Sequence, residues 1–281
     1  MKAHWIIENF TDSEDYRDLI KAVKDLGKEC FVIDKRNHFD FNPASFVENE
    51  CVIVQGSIQM VKNIESRLPK NCFPIKYCTF NNYLCSVYYP KLKDFLFNDK
   101  YVLLPLKELK ENKFDYYQKF GKEALIFVRP DSGEKTFQAQ LLDLQDFDRF
   151  WTNSIASSTL DDDLVLVSTP KDIIGEWRFI CSKYNDGEII TQSTYRYQGK
   201  LCYIPAAPVK ATELCKNILK VQYYPDSVFC IDICQAGDNK FYLLELTSFS
   251  SAGLYATDKK KIATRVSEIT EFEYGREIFY R

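Results

Sequence analysis

Over the first ninety residues, short apolar runs alternate with stretches whose apolar residues recur every three or four positions. The runs are HWIIEN at 4–9, CFVID at 30–34 and CVIVQ at 51–55. Residues 12–27 and 58–68 carry helical spacing, clearest at Leu19, Ile20, Val23 and Leu26, with Gly27 as the stop. Strands separated by amphipathic helices predict a parallel sheet, hence an α/β N-terminal region. Gly56 follows the third run and opens the second helix, which suits a ligand crevice at a strand end or a plain turn.

From about residue 91 the alternation is lost. A helical PKLKDFLF, a strand YVLLPL, a polar helical LKENKFDYYQKFG and a strand ALIFVRP follow one another, then a helical QDFDRFWTNS. Next come strands DLVLVST, EWRFICSKY and EIITQSTYRY, the last two joined by a turn at Asn185, Asp186 and Gly187. A helical KATELCKNILKVQ precedes two final strands, VFCIDICQ and KFYLLELTS. This order predicts an α+β region built on a large antiparallel sheet. Strict alternation puts Tyr195 and Arg196 on opposite faces of their strand.

The last two strands read as a hairpin closed by residues 236–239, with Gln235 opposite Lys240 and Asp232 opposite Leu243. Glu245 then lies diagonally from Asp232 on the same face, about 7–8 Å away. Two carboxylates at that separation suit hard cations carried by a polyphosphate. Acids within apolar strands are seldom tolerated unless paired or metal-bound. A purely structural reading therefore requires basic partners on the same sheet, or an edge exposed to water.

Composition narrows the classes. The chain has 281 residues, 46% of them hydrophobic and 15% aromatic, enough for extensive packing and more than one lobe. A net charge of −3, with Lys and Arg spread along the chain, gives no duplex-binding stripe. No run approaches the length of a membrane span, so a cytoplasmic protein with no membrane partner is expected. Ten cysteines, several inside strand-like runs, suit reduced and buried thiols. With His4 and His38 as the only histidines and no C-x-x-C pair, zinc sites and histidine triads have little material; a cysteine nucleophile based on His38 has no supporting spacing.

Four basic residues sit on or beside strands: Arg129 and Lys135 in the segment around VRP, Arg178 in GEWR and Arg196 in TYRY. Held on rigid strands, such groups supply the counter-charge a triphosphate needs, although any one of them also reads as an ordinary surface charge. With the two core acids, from about residue 120 to 257, the chain resembles the ATP-grasp superfamily, and within it the clade marked by paired arginines and a lysine. The resemblance implies an α/β pre-ATP-grasp domain over 1–95, which many such enzymes use to bind part of the substrate. An ATP-grasp domain follows over 96–281, with a smaller lobe at 96–166 and a larger, metal-holding lobe at 167–281.

By the same resemblance Asp232, Glu245 and Thr247 hold magnesium, two ions in the family, with Thr247 standing where the family has asparagine. Arg129 replaces the lysine of a lysine-proline strand that reaches the phosphates, and Lys135 lies in the covering loop with Gly133. The family's upstream phosphate lysine is not singled out among Lys91, Lys93 and Lys100. Val167, Ser168 and Thr169 fall where backbone pairs with adenine, and Asp172 falls near the ribose. Glu176 and Arg178 match an acidic-x-Arg strand whose arginine lies near the transferred phosphate. TSFSSAGLY resembles a substrate-side loop, with Ser250, Ser251 and Gly253 facing a carboxylate; a plain serine-rich loop is the alternative. Arg196 is the candidate for orienting the acylphosphate or the incoming carboxylate.

The activity implied is an ATP- and magnesium-dependent carboxylate–amine ligase acting through an acylphosphate, on small-molecule or peptide acids and amines. Catalysis would rest on Arg178, Arg196 and Lys135, since phosphoryl transfer needs positioning and charge neutralisation more than a covalent catalyst. Two alternatives stay open: an ATP-dependent small-molecule kinase, and a binding or interaction protein with a decayed site. A homodimer is compatible with the resemblance, and no feature of the chain selects an interface.

Overall fold

The computed structural model describes residues 2–9, 14–34, 50–69, 72–134, 136–154 and 162–280. Its N-terminal strands, β1 (His4–Asn9), β2 (Cys30–Asp34), β3 (Cys51–Gln55) and β4 (Phe73–Ile75), form an all-parallel sheet in the order β2-β1-β3-β4. Helices α1 (Glu14–Asp25) and α2 (Ile58–Arg67) cover its two faces. Leu19 and Val23 of α1 pack with Trp5, Ile7 and Ile53, while Met60, Val61 and Ile64 of α2 pack with Ile6, Val52 and Val54. This double burial explains why the runs are apolar throughout rather than alternating. Gly27 ends α1 with φ +65°: its N–H reaches the Lys24 carbonyl and the Lys28 N–H reaches that of Val23, a Schellman closure.

The connection that follows holds the short helix α3 (Cys85–Tyr88). PKLKDFLF is not the expected helix. Only Lys93–Phe95 make a 3₁₀ turn, and the Phe97 N–H then bonds the Leu243 carbonyl at 2.9 Å, so tertiary pairing overrides helical propensity there. The next sheet contains β5 (Tyr101–Pro105), β6 (Leu125–Pro130), β7 (Gln140–Asp143) and β8 (Leu164–Ser168), antiparallel in the order β5-β8-β6-β7. The polar helical stretch before β6 is two helices, α4 (Leu106–Glu111) and α5 (Lys113–Phe120), separated at Asn112. Leu106, Leu109, Tyr117 and Phe120 pack against Ile126, Val128, Val165 and Val167. Helix α6 (Phe147–Ser154) follows β7.

The largest sheet is antiparallel, ordered β11-β10-β9-β12-β13, from β9 (Ile173–Ser182), β10 (Glu188–Tyr197), β11 (Lys200–Ile204), β12 (Val228–Ala236) and β13 (Phe241–Ser248). One face is apolar. Trp177, Phe179, Phe229, Ile231 and Ile233 pack there with Ala211, Cys215 and Ile218 of α7 (Val209–Leu219). The opposite face is divided. Ile180, Val228 and Cys230 join a core with Trp5, Leu19, Val23 and residues Ile262, Val266 and Ile269 of the C-terminal helix α8 (Lys259–Tyr280). Beyond Ile180 and Cys230, the residues on that face become Arg178, Glu176 and Asp232.

Two expected registers are corrected. The hairpin loop is residues 237–239, because the Ala236 N–H bonds the Lys240 carbonyl and Asn239 takes the left-handed conformation, φ +62°. Gln235 therefore pairs with Phe241, and a bulge between Asp232 and Ile233 brings Asp232 directly opposite Glu245, not opposite Leu243. A second bulge, between Thr194 and Arg196, breaks strict alternation in β10. Tyr195 and Arg196 consequently reach the same residue, Glu176, instead of opposite faces. Of the ten cysteines all are free, and all but Cys30 and Cys202 are buried. Among the described residues no helix is long and apolar enough to cross a membrane.

Candidate active site

Three adjacent strands converge on the divided face. β9 places Arg178 opposite Asp232 of β12, and Asp232 in turn faces Glu245 of β13. Arg178 holds Asp232 with a two-pronged bond, Nε to Oδ1 at 2.8 Å and Nη2 to Oδ2 at 2.5 Å, and its Nη1 donates to the Gly253 carbonyl at 2.9 Å. Asp232 has no solvent exposure and Arg178 has 4%. Burial works against the guanidinium charge, but the bonded Asp232 carboxylate more than offsets it and keeps the arginine firmly protonated.

The second acid is met from another sheet. Arg129, near the end of β6, donates from Nη2 to Glu245 Oε2 at 3.3 Å. Its Nε is buried with no hydrogen-bond partner. Thr247 lies two residues beyond Glu245 on the same face, opposite Cys230, and its buried Oγ1 also lacks a partner. Buried polar atoms without partners are rare in folded chains and ask for an explanation. Asp232, Glu245 and Thr247 make an oxygen-only donor set, the kind that hard divalent cations prefer. Among the described residues there is no group of three or more His, Cys, Asp and Glu arranged to hold a metal, so such a cation would depend on this set together with phosphate oxygens.

On the far side of Arg178, Glu176 accepts from the Tyr195 hydroxyl at 2.7 Å and pairs with Arg196 Nε at 3.2 Å. The Arg178 guanidinium lies 5.0 Å from the Tyr255 ring centre and 5.7 Å from that of Tyr195, within cation–π range. Tyr255 carries no strand pattern, and simple alternation turns Tyr195 away from Arg196 where the bulge brings both to Glu176. A bulge and a loop residue leave no periodic signal; the signal for this loop is the TSFSSAGLY segment, which ends at Tyr255.

The remaining expected residues are distributed along and around this face. Val167 and Ser168 lie within the β8 ladders to β5 and β6, and Thr169 is the first residue past them. Ser168 is buried, with its hydroxyl bonded to Asn98 Oδ1 at 3.2 Å. Asp172 is at the surface beside Lys122, about 20 Å from Arg178 along the strand. Ser250 is fully buried; its hydroxyl accepts from the Tyr77 N–H and its carbonyl from the Gly56 N–H. The Ser251 hydroxyl bonds that of Ser248. Of the three loop residues, Gly253 is the one brought to Arg178. Gly56 works in packing: a Cβ there would meet Glu8 Cβ at 2.7 Å. Gly133 likewise leaves 2.9 Å to Tyr83 Cβ. Lys135 and His38 lie outside the described residues.

The ATP-grasp domain of R2K clade family 2 matches residues 107–264, more than half of the chain. Among solved structures, the D-cycloserine synthetase DcsG superposes with a TM-score of 0.61 at 13% identity, covering 95% of this chain and 99% of that one. A RimK domain ATP-grasp protein from Sphaerobacter thermophilus gives 0.58 at 12% identity, covering 97% and 98%. The D-alanine–D-alanine ligase of Bacillus anthracis gives 0.56 at 13%, covering 99% of each chain. At these identities the shared feature is the fold. A search of curated proteins found no match.

Proposed function

Because this chain belongs to the ATP-grasp domain family, R2K clade family 2, we propose that it is an ATP- and magnesium-dependent carboxylate–amine ligase. A substrate carboxylate oxygen attacks the γ-phosphorus, the bond to the bridging oxygen breaks and ADP leaves. An amine nitrogen then attacks the acyl carbon of the acylphosphate, and phosphate departs as the amide forms. The observation that carries this reading is the facing pair Asp232 and Glu245, each met by an arginine from a different strand, with the orphaned Thr247 hydroxyl beside them.

In this reading Asp232, Glu245 and Thr247 hold magnesium, which neutralises phosphate charge when bound. Arg129, with its unpartnered Nε, serves the α- and β-phosphates, and the loop of Lys135 covers the phosphates. Arg178 leaves part of its bond to Asp232 for the transferred phosphoryl group, a preorganised charge at the reacting centre. Arg196 and the Gly253 loop, with Ser250 and Ser251 as its supports, orient the carboxylate. Residues 167–169 carry the adenine, Asp172 the ribose edge, and Glu176 keeps Arg196 and Tyr195 in place. Similar structures support small or peptide substrates: two are a D-alanine–D-alanine ligase and a D-cycloserine synthetase, and a third, the ligase PsnB, was solved with a precursor peptide and AMPPNP and, separately, with a minimal precursor, Mg and ADP.

A second reading is favoured by one observation. Arg178 satisfies Asp232 with two bonds, which supplies the basic partner that a purely structural ion pair requires. That reading makes the chain a binding protein on an ATP-grasp scaffold. ADP release measured over a panel of acids and amines separates the cases. The ligase requires both substrates and yields an amide, a kinase releases ADP with one substrate and leaves a stable phosphorylated product, and a decayed site releases none.

A further inference from the structure

Three tyrosines stack in a row at the rim of this site. Tyr195 and Tyr255 have ring centres 4.7 Å apart and planes 11° apart, and Tyr203 stacks on Tyr255 at 5.6 Å and 20°. Burial decreases along the row: Tyr195 is 8% exposed, whereas Tyr203, on the edge strand β11, is 54% exposed. Beside it on that strand is Leu201, 65% exposed, paired across the ladder with Arg196. The Arg196 side chain is itself 48% exposed. Large apolar groups grouped this way next to a cation form a two-part surface, one part for an apolar body and one for an anion.

The middle ring is held in place by a strained backbone. Tyr255 has φ +47°, a conformation that costs an aromatic residue free energy and persists where the surroundings over-determine it. They do so here. The Tyr255 carbonyl accepts from the buried Lys259 ammonium, the next N–H, of Ala256, donates to Ser193 Oγ at 3.2 Å, and the Asp258 N–H donates to Thr191 Oγ1 at 3.0 Å. The preceding glycine leaves little room: a Cβ on Gly253 would lie 3.3 Å from the Tyr255 ring. The result is a fixed ring in contact with both Arg178 and Tyr203, with the outer part of the row open to solvent.

We propose that this row is the specificity wall of the acid subsite, and that the carboxylate substrate carries an aromatic or similarly flat apolar body. Its ring packs on Tyr203 and Leu201 while its carboxylate meets Arg196 and points inward to Arg178. The proposal rests on the ligase reading for the chemistry at Arg178, but the wall itself is a binding surface that can be measured without turnover. Offset stacking of one ring on another contributes a factor of roughly three to ten in affinity.

The test uses two acids that share a carboxylate and differ in one ring, N-acetylphenylalanine and N-acetylalanine. Each is titrated calorimetrically into the full chain, Tyr203→Ala and Tyr203→Phe, and Mg·ATP is titrated into the same proteins. The expected result is that the wild type prefers the phenyl acid by roughly three- to tenfold. Tyr203→Ala should abolish that preference, Tyr203→Phe should retain it, and ATP binding should be the same in all three. Tyr203 is at an exposed edge, so both variants should fold. Equal binding of the two acids by the wild type, binding of neither, or a preference that survives Tyr203→Ala overturns the proposal. A Tyr203→Ala variant that loses ATP affinity instead of acid preference would also overturn it, by assigning the row to nucleotide. Failure of ATP to bind any of the three counts against the ligase reading, while the matched acids still decide the wall.

Discussion

The two arginine–carboxylate pairs of the site are built differently. Arg178 and Asp232 belong to neighbouring strands of one sheet, so their Cα atoms are fixed by the ladder and the bond is two-pronged and fully buried. Arg129 and Glu245 come from two different sheets, meet through one 3.3 Å contact and leave Glu245 with a side chain 20% exposed. The first pair resembles a finished structural bond and the second resembles a contact with room to rearrange. What this teaches is that a ligand would enter most easily at the junction of the sheets, where Arg129 Nε and Thr247 Oγ1 already lack partners. Displacing Arg178 from Asp232 is the harder step.

The largest expected effect breaks the inner pair alone. Arg178→Met takes the two-pronged arginine bond from the buried Asp232 carboxylate, and urea unfolding should show a loss of about 3–5 kcal/mol. Adding Asp232→Leu to that variant should recover most of the loss, because both charges are then gone. A cost below about 1 kcal/mol for Arg178→Met would mean that the pair is not the buried bond described.

Breaking the outer pair is expected to matter less for stability. Glu245→Gln should cost about 1 kcal/mol or less in the same unfolding experiment, as for other partly exposed pairs. A cost equal to that of Arg178→Met would erase the distinction between the two pairs.

A third pair calibrates the series at the surface. Arg265 of α8 bonds Glu188 of β10 at 2.6 Å, and Ser182 and Asn185 donate to the same carboxylate. Burial pushes the Glu188 carboxyl up, but these bonds more than offset it and hold it below its ordinary value of 4.5. A group lowered on folding contributes stability above its unfolded value, and that contribution is lost as pH falls through the lower folded value. Glu188→Gln should therefore cost up to about 1 kcal/mol at pH 7 and progressively less as the pH is taken below 4.5. An unchanged cost at pH 3 would show that charge plays no part.

The smallest effect is expected at Thr247. Replacing it with valine removes a hydroxyl that bonds nothing in the free chain, so stability should change by no more than about 0.5 kcal/mol, while the magnesium concentration needed for nucleotide binding should rise. A clear loss of stability would reveal a bond to that hydroxyl.

Much of this architecture could be read from the chain, and the exceptions share a cause. The N-terminal helices and strands announce themselves because Leu19, Ile20, Val23 and Leu26 repeat at helical spacing and the strands are uniformly apolar. The two acids stood out because Asp232 and Glu245 interrupt such runs. Their true register was hidden by a bulge, which shifts pairing without any mark in composition, and the same is true of Tyr195. The partner of Asp232 also could not be assigned from the sequence, since Arg178 is 54 residues away and its direction depends on which strands are neighbours. Helix α8 carries helical spacing at Ile262, Ala263, Val266 and Ile269, and that face is legible in the sequence although its packing partners on the N-terminal sheet are not. Ser250, expected at a substrate, is bonded within the fold to Tyr77, a contact 173 residues apart.

The central claim is that the facing acids serve a nucleotide and its metal. Calorimetric titration of Mg·ATP into the wild type and Glu245→Gln tests it most directly, with circular dichroism confirming that both are folded. The account predicts saturable binding by the wild type and a loss of at least tenfold in affinity in the variant. Equal affinity for the two proteins, or no binding by a folded wild type even with acid substrates present, would contradict it and leave the acids as structural ion pairs.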